Sequence, residues 1–420
     1  MQHFRYLSDA ERDAIFAVPP QWVSASAPLA VQGAALGAMI YSPATRPALD
    51  LDSRRLAQIG TTSHVWCLED AIAHADLPAA ERNVSAALRR LARSGVRRAH
   101  LPRLFLRVRE PGQLRRVIAA AGPGGRLLSG VVLPKFSAAS AVQLEELAEL
   151  SEQLDQQLMA LPVLETPAVA WLETRRTELL DLRTLCDTHR QRVPAVRVGG
   201  TDLCGLFGLR RDAATAIWDV AVVRDALADI VNIFGRGGDR VVSGPVWEHF
   251  SDGARPVAGP WAQQSPDGTR LAAGRGRHTG FSCGRTASTA STAASGRPDP
   301  LAREVGLDLA NGMTGKTVVH PRHVGIVNAL HAVRREEYDD ACAVDAAATL
   351  GGAFPSGAGN KMNEAGPHAP WARATLRRAA AFGVLATPER LGALLAAGQR
   401  AHDAAFSRAR PVAGSQRYAT

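Results

Sequence analysis

The chain has 420 residues, of which 46% are hydrophobic and 21% are charged. That composition is typical of a globular enzyme and excludes a largely disordered protein. The five cysteines include no Cys-x-x-Cys pair, which argues against a disulfide framework and against a thiolate zinc site. The first residues lack an apolar signal core and no apolar run approaches the length of a membrane span. We therefore expect a cytoplasmic protein that does not contact a membrane.

The formal net charge of +9 raises the question of nucleic-acid binding. Seven arginines and two aspartates lie between Ala254 and Arg303, so this stretch carries +5 and the rest of the chain only +4. A nucleic-acid-binding protein clusters its basic residues on one face with aromatic or helical readers, and this sequence has no such pattern. We therefore expect no nucleic-acid partner.

Lysine is rare in this chain. Only three of the 49 basic residues are lysines, namely Lys135, Lys316 and Lys361. Because arginine serves elsewhere as the surface cation, these three positions are expected to need a compact ammonium group rather than a guanidinium fork. Chance is the alternative explanation.

The chain order of apolar runs predicts the fold. Residues 1–34 form a helical lead-in, in which Ser8 or Asp9 caps the first helix. Helical patterns such as Ala79–Arg93 and Val142–Leu158 separate most of the following apolar runs. The eight runs are Ala35–Ser42, Val65–Leu68, Leu104–Val108, Leu127–Leu133, Leu158–Leu164, Val193–Val198, Val241–Val246 and Thr317–Val319. Eight strands separated by helices predict a (β/α)8 TIM barrel over residues 35–335, although a doubly wound sheet gives the same local pattern.

The position of the polar residues favours the barrel. Most of the runs end in polar side chains, whereas their first residues are mostly Gly, Pro, Ala or Arg. Barrel enzymes place their chemistry at the C-terminal ends of the strands, with residues from several strands.

The last part of the chain, residues 336–420, is predicted to be a C-terminal helical extension. Its helical patterns are His331–Val344, which begins just before it, and Ala369–Phe382, with a Gly-rich loop between them. Residues 256–298 do not fit the barrel pattern, because they are rich in Gly, Ser, Thr, Ala and Arg without periodicity. We expect this stretch to be disordered or aberrant.

Two carboxylates end consecutive predicted strands. Glu165 follows the fifth apolar run and Asp202 follows the sixth, so a barrel would make them neighbours. Two carboxylates completed by water suit Mg²⁺, which prefers hard oxygen ligands. The alternative is that Glu165 caps a helix and Asp202 caps a turn.

Three cations are expected at the same rim. Arg107 and Arg109 are predicted to point to one side of a strand, where a guanidinium can bind a carboxylate with two hydrogen bonds. Lys135 would add positive charge there. The alternative is that one of the two arginines pairs with Glu69, Asp70 or Glu110, and that Lys135 forms an ordinary ion pair at the barrel end.

The stretch from Ala310 to Thr317 is similar to a phosphate-binding P-loop. A P-loop follows a strand and opens a helix, whereas this stretch leads into a predicted strand, so we reject an ATPase. His320 follows that strand and is interpreted as a pocket residue.

The ordered set of these segments resembles the HpcH/HpaI aldolase and citrate lyase β-subunit superfamily of TIM-barrel lyases. More closely, the chain is similar to a branch found beside tellurium-resistance and stress genes. The segments that carry the resemblance are Leu68-Glu69-Asp70, Arg107-Val108-Arg109, Pro134-Lys135, Leu164-Glu165-Thr166-Pro167, Thr201-Asp202-Leu203 and Gly315–Pro321.

The resemblance implies a function and a role for each site residue. Glu165 and Asp202 would hold Mg²⁺ (or Mn²⁺), and Arg107 would bind the substrate carboxylate. Asp70 would order a metal-bound water or accept a proton, and Lys135 would stabilise charge. The implied reaction is a retro-aldol or retro-Claisen cleavage, or the reverse condensation, of a carboxylate, a 2-oxo acid or a CoA thioester. The expected pocket also includes Glu69, Arg109, Gly200, Thr201 and His320.

The resemblance also implies a homo-oligomer. The sequence departs from the family pattern in two places. Arg109-Glu110 replaces an Asn-Pro type of turn, and residues 256–298 keep the length of the branch but not its composition. The second departure is explained by the hypothesis of a local frame shift that is later compensated, which would impair the enzyme. The alternative function is a catalytically inactive barrel that binds a small carboxylate or nucleotide-like ligand in a stress-response complex.

Overall fold

The computed structural model describes residues 1–238, 240–250 and 299–406. Eight parallel strands close into a barrel in chain order, with the eighth strand paired to the first. They are Ala38–Pro43, Ser63–Cys67, Arg103–Arg107, Leu128–Leu133, Met159–Leu164, Ala195–Val198, Val241–Trp247 and Lys316–Val318. The predicted TIM barrel is therefore confirmed.

Among the described residues, eight helices follow the eight strands on the outside of the barrel: Leu49–Gln58, Leu77–Arg93, Gln113–Ala121, Ala141–Gln153, Leu172–Thr188, Ala221–Ile230, Pro300–Ala310 and Pro321–Leu330. Because both faces of a barrel strand are buried, its sequence is continuously apolar. In the fifth strand, Ala160 and Leu164 pack outward against the helices, whereas Leu161 and Val163 pack into the barrel interior.

The remaining elements lie at the chain ends and in the loops. The helices among them are Asp9–Ile15, Leu29–Ala34, Pro167–Ala170, Gly200–Leu206, Arg335–Ala347, Ala365–Phe382 and Arg390–Phe406. Two small antiparallel sheets pair Phe16–Val18 with Val384–Leu385 and Ala353–Pro355 with Met362–Glu364. Within the described ranges, no helix is long and apolar enough to cross a membrane.

Several predicted boundaries need correction. The first strand begins at Ala38 rather than Ala35, because the helix Leu29–Ala34 and a left-handed turn at Gly37 precede it. The helix predicted to reach Leu158 ends at Gln153, and the one predicted from His331 begins at Arg335. Ser8 does cap the first helix through a reciprocal bond with Glu11.

The P-loop-like stretch follows the helix Pro300–Ala310 and enters the eighth strand, which is the reverse of the P-loop order. The segment predicted to be disordered or aberrant, residues 256–298, lies outside the described residues, and so does the frame-shift hypothesis that rests on it.

Candidate active site at the barrel mouth

A cluster of charges from four neighbouring strands lies at the C-terminal mouth of the barrel. The guanidinium of Arg107 lies 2.7 Å from Glu69 Oε2, 3.0 Å from Asp70 Oδ2 and 3.6 Å from Glu165 Oε1. Lys135 Nζ lies 2.5 Å from Glu69 Oε1 and 3.0 Å from Asp70 Oδ1. Five of the predicted site residues are thus brought into contact by strands two to five.

The backbone of Lys135 holds Glu165 in place. Lys135 has a φ of 47°, a left-handed conformation that is unusual for a residue with a side chain. In this conformation its N–H donates to Glu165 Oε1 at 2.9 Å while its side chain reaches Glu69 and Asp70. Such strain is often found at functional sites.

Glu165 and Asp202 form the acidic centre of the site. Glu165 is almost fully buried at the end of the fifth strand, and Asp202 lies in the first turn of the helix Gly200–Leu206 after the sixth strand. Gly199 makes room for Glu165, because a Cβ at this position would lie 1.8 Å from Glu165 Oε2.

Burial raises the pKa of Glu165 to about 8, and the charge of Asp202 adds to this shift. Partial burial alone would also raise the pKa of Asp70. Hydrogen bonds with Glu69 and Lys135 and the charge of Arg107 outweigh it, so the pKa of Asp70 is held below its ordinary value. Burial opposes the charge of Lys135 as well, but its hydrogen bonds to the two acids raise its pKa to about 12.

The donor set of Glu165 and Asp202 fits a divalent metal. Two hard carboxylate oxygens suit Mg²⁺, and a cation would offset the burial and the charge of Asp202 that together raise the pKa of Glu165. Among the residues that the structure describes, no group of three or more His, Cys, Asp or Glu side chains is arranged to hold a metal. Water and substrate oxygens would therefore complete the coordination.

The side chains of the other predicted pocket residues make their contacts outside this cluster. Arg109 lies beyond the third strand, and its guanidinium donates to the carbonyls of Glu69 at 2.8 Å and Ile72 at 2.9 Å. Arg109 therefore does not share a strand face with Arg107. Its hydrogen bonds stabilise the loop after the second strand.

Gly200 begins its helix against Pro245, and Thr201 donates a hydrogen bond to Glu248 at the end of the seventh strand. His320 caps the helix Pro321–Leu330 by accepting from Arg322 N–H at 3.2 Å, and its ring stacks on Phe250.

Three residues inside the barrel beneath the cluster were missed by the sequence interpretation. Cys67 accepts a hydrogen bond from Glu69 N–H at 3.4 Å, and Tyr41 lies under Arg197 with the guanidinium 5.9 Å from the ring centre. The available signal was alternation along the strands, because each of the three lies two residues after an apolar residue that packs into the barrel interior.

Comparison with known proteins identifies the family. Residues 30–384 match the model of the C–C bond lyases of the TIM-barrel fold. A comparison with curated protein sequences finds no match.

Solved structures show a similar fold. A citrate lyase of Burkholderia xenovorans LB400 is 18% identical with a TM-score of 0.54, and the alignment covers 86% of this chain and 96% of that one. The CitE protein of Mycobacterium tuberculosis, solved with magnesium, acetoacetate and coenzyme A, is also 18% identical, with a TM-score of 0.48 and coverage of 82% and 97%. On the strength of the family match, this chain belongs to the C–C bond lyases of the TIM-barrel fold and is a carbon–carbon lyase.

Proposed function

We propose that this lyase uses a divalent metal, preferentially Mg²⁺, to cleave or form a carbon–carbon bond next to the carboxylate or 2-oxo group of a small acid. The observation that carries the proposal is the pairing of Glu165 with Asp202 at the ends of adjacent strands. Arg107 and Lys135 lie in the same cluster, so positive and negative groups converge at one point of the mouth.

The chain's own residues have complementary tasks in a retro-aldol cleavage. Asp70 is ionised at neutral pH, because its pKa lies below its ordinary value, and it can accept the proton of a substrate hydroxyl. The hydroxyl oxygen then becomes a carbonyl, and the electrons of the broken bond pass to the fragment that leaves as an enolate. Arg107 and Lys135 place positive charge beside the enolate oxygen.

Glu165 and Asp202 would hold the metal. When bound, Mg²⁺ supplies further positive charge at the oxygen that becomes negative as the bond breaks. Gly199 keeps the space in which Glu165 adopts its position.

The first experiment measures thermal unfolding of the full chain with and without Mg²⁺ or Mn²⁺. A ligand that binds the folded state raises the unfolding midpoint. We expect this rise in the parent and its loss in a variant with Glu165→Gln and Asp202→Asn. The matched control carries Glu336→Gln and Asp340→Asn, because these acids also flank a lysine but lie far along the chain, in the helix Arg335–Ala347.

Turnover is then measured with 2-oxo acids, hydroxy acids and their CoA thioesters. A metal response that is equal in the parent and the site variant would contradict the proposed metal site. Metal binding without turnover of any of these substrates would favour the alternative of an inactive carboxylate-binding barrel.

The homo-oligomeric state, the cytoplasmic location and the link to tellurium resistance stay predictions.

A further inference from the structure

A second guanidinium lies inside the barrel, on the sixth strand. Arg197 faces inward, because its neighbours Val196 and Val198 pack outward against the helices. Only 2% of Arg197 is exposed. Its nearest strand partners are Val163 on the fifth strand and Ser243 on the seventh.

Arg197 has no carboxylate partner among the described residues. Its guanidinium donates a hydrogen bond to Thr317 Oγ1 and lies over the ring of Tyr41. Arg107 differs sharply, because Glu69 and Asp70 already occupy its guanidinium at 2.7 and 3.0 Å. Arg107, which the sequence assigned to the substrate, thus already has acidic partners within the chain, whereas Arg197 has none among the described residues.

Ser243 gives a second, independent sign of a missing ligand. It faces inward beside Arg197, is 4% exposed, and its hydroxyl has no hydrogen-bond partner among the residues that the structure describes. Burying an unpaired cation and an unpaired hydroxyl is unfavourable unless a bound group satisfies them. A carboxylate can accept hydrogen bonds from both.

Two residues that contact Arg197, Tyr41 and Thr317, are only partly buried. Tyr41 also lies close enough to Arg107 and Glu165 to feel their charges. Tyr41 thus lies between Arg197 and the cluster at the mouth, with each of them close enough to affect its pKa.

We infer that Arg197, assisted by Ser243, binds a second carboxylate of the substrate, so that this enzyme acts on dicarboxylic acids. This assignment rests on the proposed function, which places the reacting end of the substrate at the charge cluster of the mouth. Arg197 is a specificity-determining residue, and it takes no part in the proton transfer.

Calorimetric titration of the full chain with matched pairs of acids tests this inference. The pairs are oxaloacetate with 2-oxobutanoate, and 2-oxoglutarate with 2-oxopentanoate, so that each pair differs only in a terminal carboxylate or methyl group. We expect the parent to bind at least one dicarboxylate about 10- to 100-fold more tightly than its partner, as a charged hydrogen bond requires. In Arg197→Met the affinity for the dicarboxylate should fall to that of its methyl-terminated partner, whose own affinity should not change.

The control is Arg103→Met, which removes a half-buried arginine from the opposite end of the barrel, where it donates to Gln32. This variant should keep the preference. Arg197→Met should unfold at no lower temperature than the parent without ligand, because it removes an unpaired buried charge. Should this variant fail to fold, Ser243→Ala is expected to reduce the preference several-fold.

Equal or unmeasurable affinities within both pairs in the parent would overturn the inference. A preference that survives in Arg197→Met or, in its place, is undiminished in Ser243→Ala would overturn it as well. Because the readout is binding without turnover, an absent lyase activity would refute the proposed function and leave the assignment of Arg197 standing.

Discussion

At the scale of single residues, the three lysines share one arrangement. Each ammonium lies between two carboxylates, at 2.5 to 3.0 Å. A compact ammonium can approach two acids from one point, whereas a guanidinium is planar and presents a fixed fork. The lysines with their acids are Lys135 with Glu69 and Asp70, Lys316 with Glu304 and Asp308, and Lys361 with Glu336 and Asp340.

Two of these lysines should differ strongly in their contribution to stability. Lys316 is fully buried, so Lys316→Met leaves the carboxylates of Glu304 and Asp308 with less positive charge beside them. This change should lower the free energy of unfolding by about 3–5 kcal/mol. The side chain of Lys361 is 44% exposed, and Lys361→Met should cost about 1 kcal/mol or less. Urea unfolding of both variants measures the difference, and equal losses would contradict this account.

Gly199 should matter for metal binding. In Gly199→Ala the new methyl group overlaps Glu165, which must move, so Mg²⁺ affinity should fall by about 10- to 100-fold. Gly205→Ala is the control, because a Cβ there meets nothing within 4 Å. Calorimetric titration with Mg²⁺ measures both affinities, and an unchanged affinity in Gly199→Ala would count against the proposed site.

At the scale of elements, the two ends of the chain are joined beneath the barrel. The strand Phe16–Val18 pairs with Val384–Leu385, and His3 stacks on Phe382 with ring centres 4.4 Å apart. The apolar interior of the barrel continues into this contact. The N-terminal lead-in and the C-terminal extension therefore pack against each other and against the apolar interior of the barrel.

Phe382 should be a major stabilising residue of this contact between the chain ends. Its side chain is fully buried, so Phe382→Ala should lower the free energy of unfolding by about 3–5 kcal/mol. Trp371 lies in the same helix but is 38% exposed, and Trp371→Ala should cost much less. Unfolding in guanidinium chloride compares the two variants, and a similar loss of stability in both would contradict the prediction.

At the scale of the whole molecule, four of the buried histidines make the fold sensitive to acid. Burial lowers the pKa of His3 and His64 to about 3, and of His323 and His331 to about 4. Below about pH 6.5 the unfolded chain takes up protons that the folded chain does not, so stability falls as the pH decreases.

Glu165 acts in the opposite direction, because its raised pKa makes the folded state bind one more proton between about pH 4.5 and 8. Four histidines outweigh this single group. We expect the unfolding midpoint in urea to decrease steadily from pH 6.5 to 4.5, with a weaker decrease in His64→Gln. A midpoint that stays constant over this range would contradict the prediction.

The sequence by itself determined the barrel and the set of acids and cations at its mouth. Strand length, apolar runs buried on both faces and polar strand ends are local properties, and each is visible in consecutive residues. The segments around Glu165, Asp202 and Arg107 also placed those residues on particular strands.

Only the tertiary structure decided which of these charges neutralise each other. Arg109 was expected to share a face with Arg107, yet the strand ends before it and its guanidinium binds backbone carbonyls. Arg197 lies in an apolar run like any other strand residue, and its lack of an acidic partner depends on residues far away in the sequence. Pairing of charges is set by distances across the closed barrel, and no local pattern in the chain encodes them.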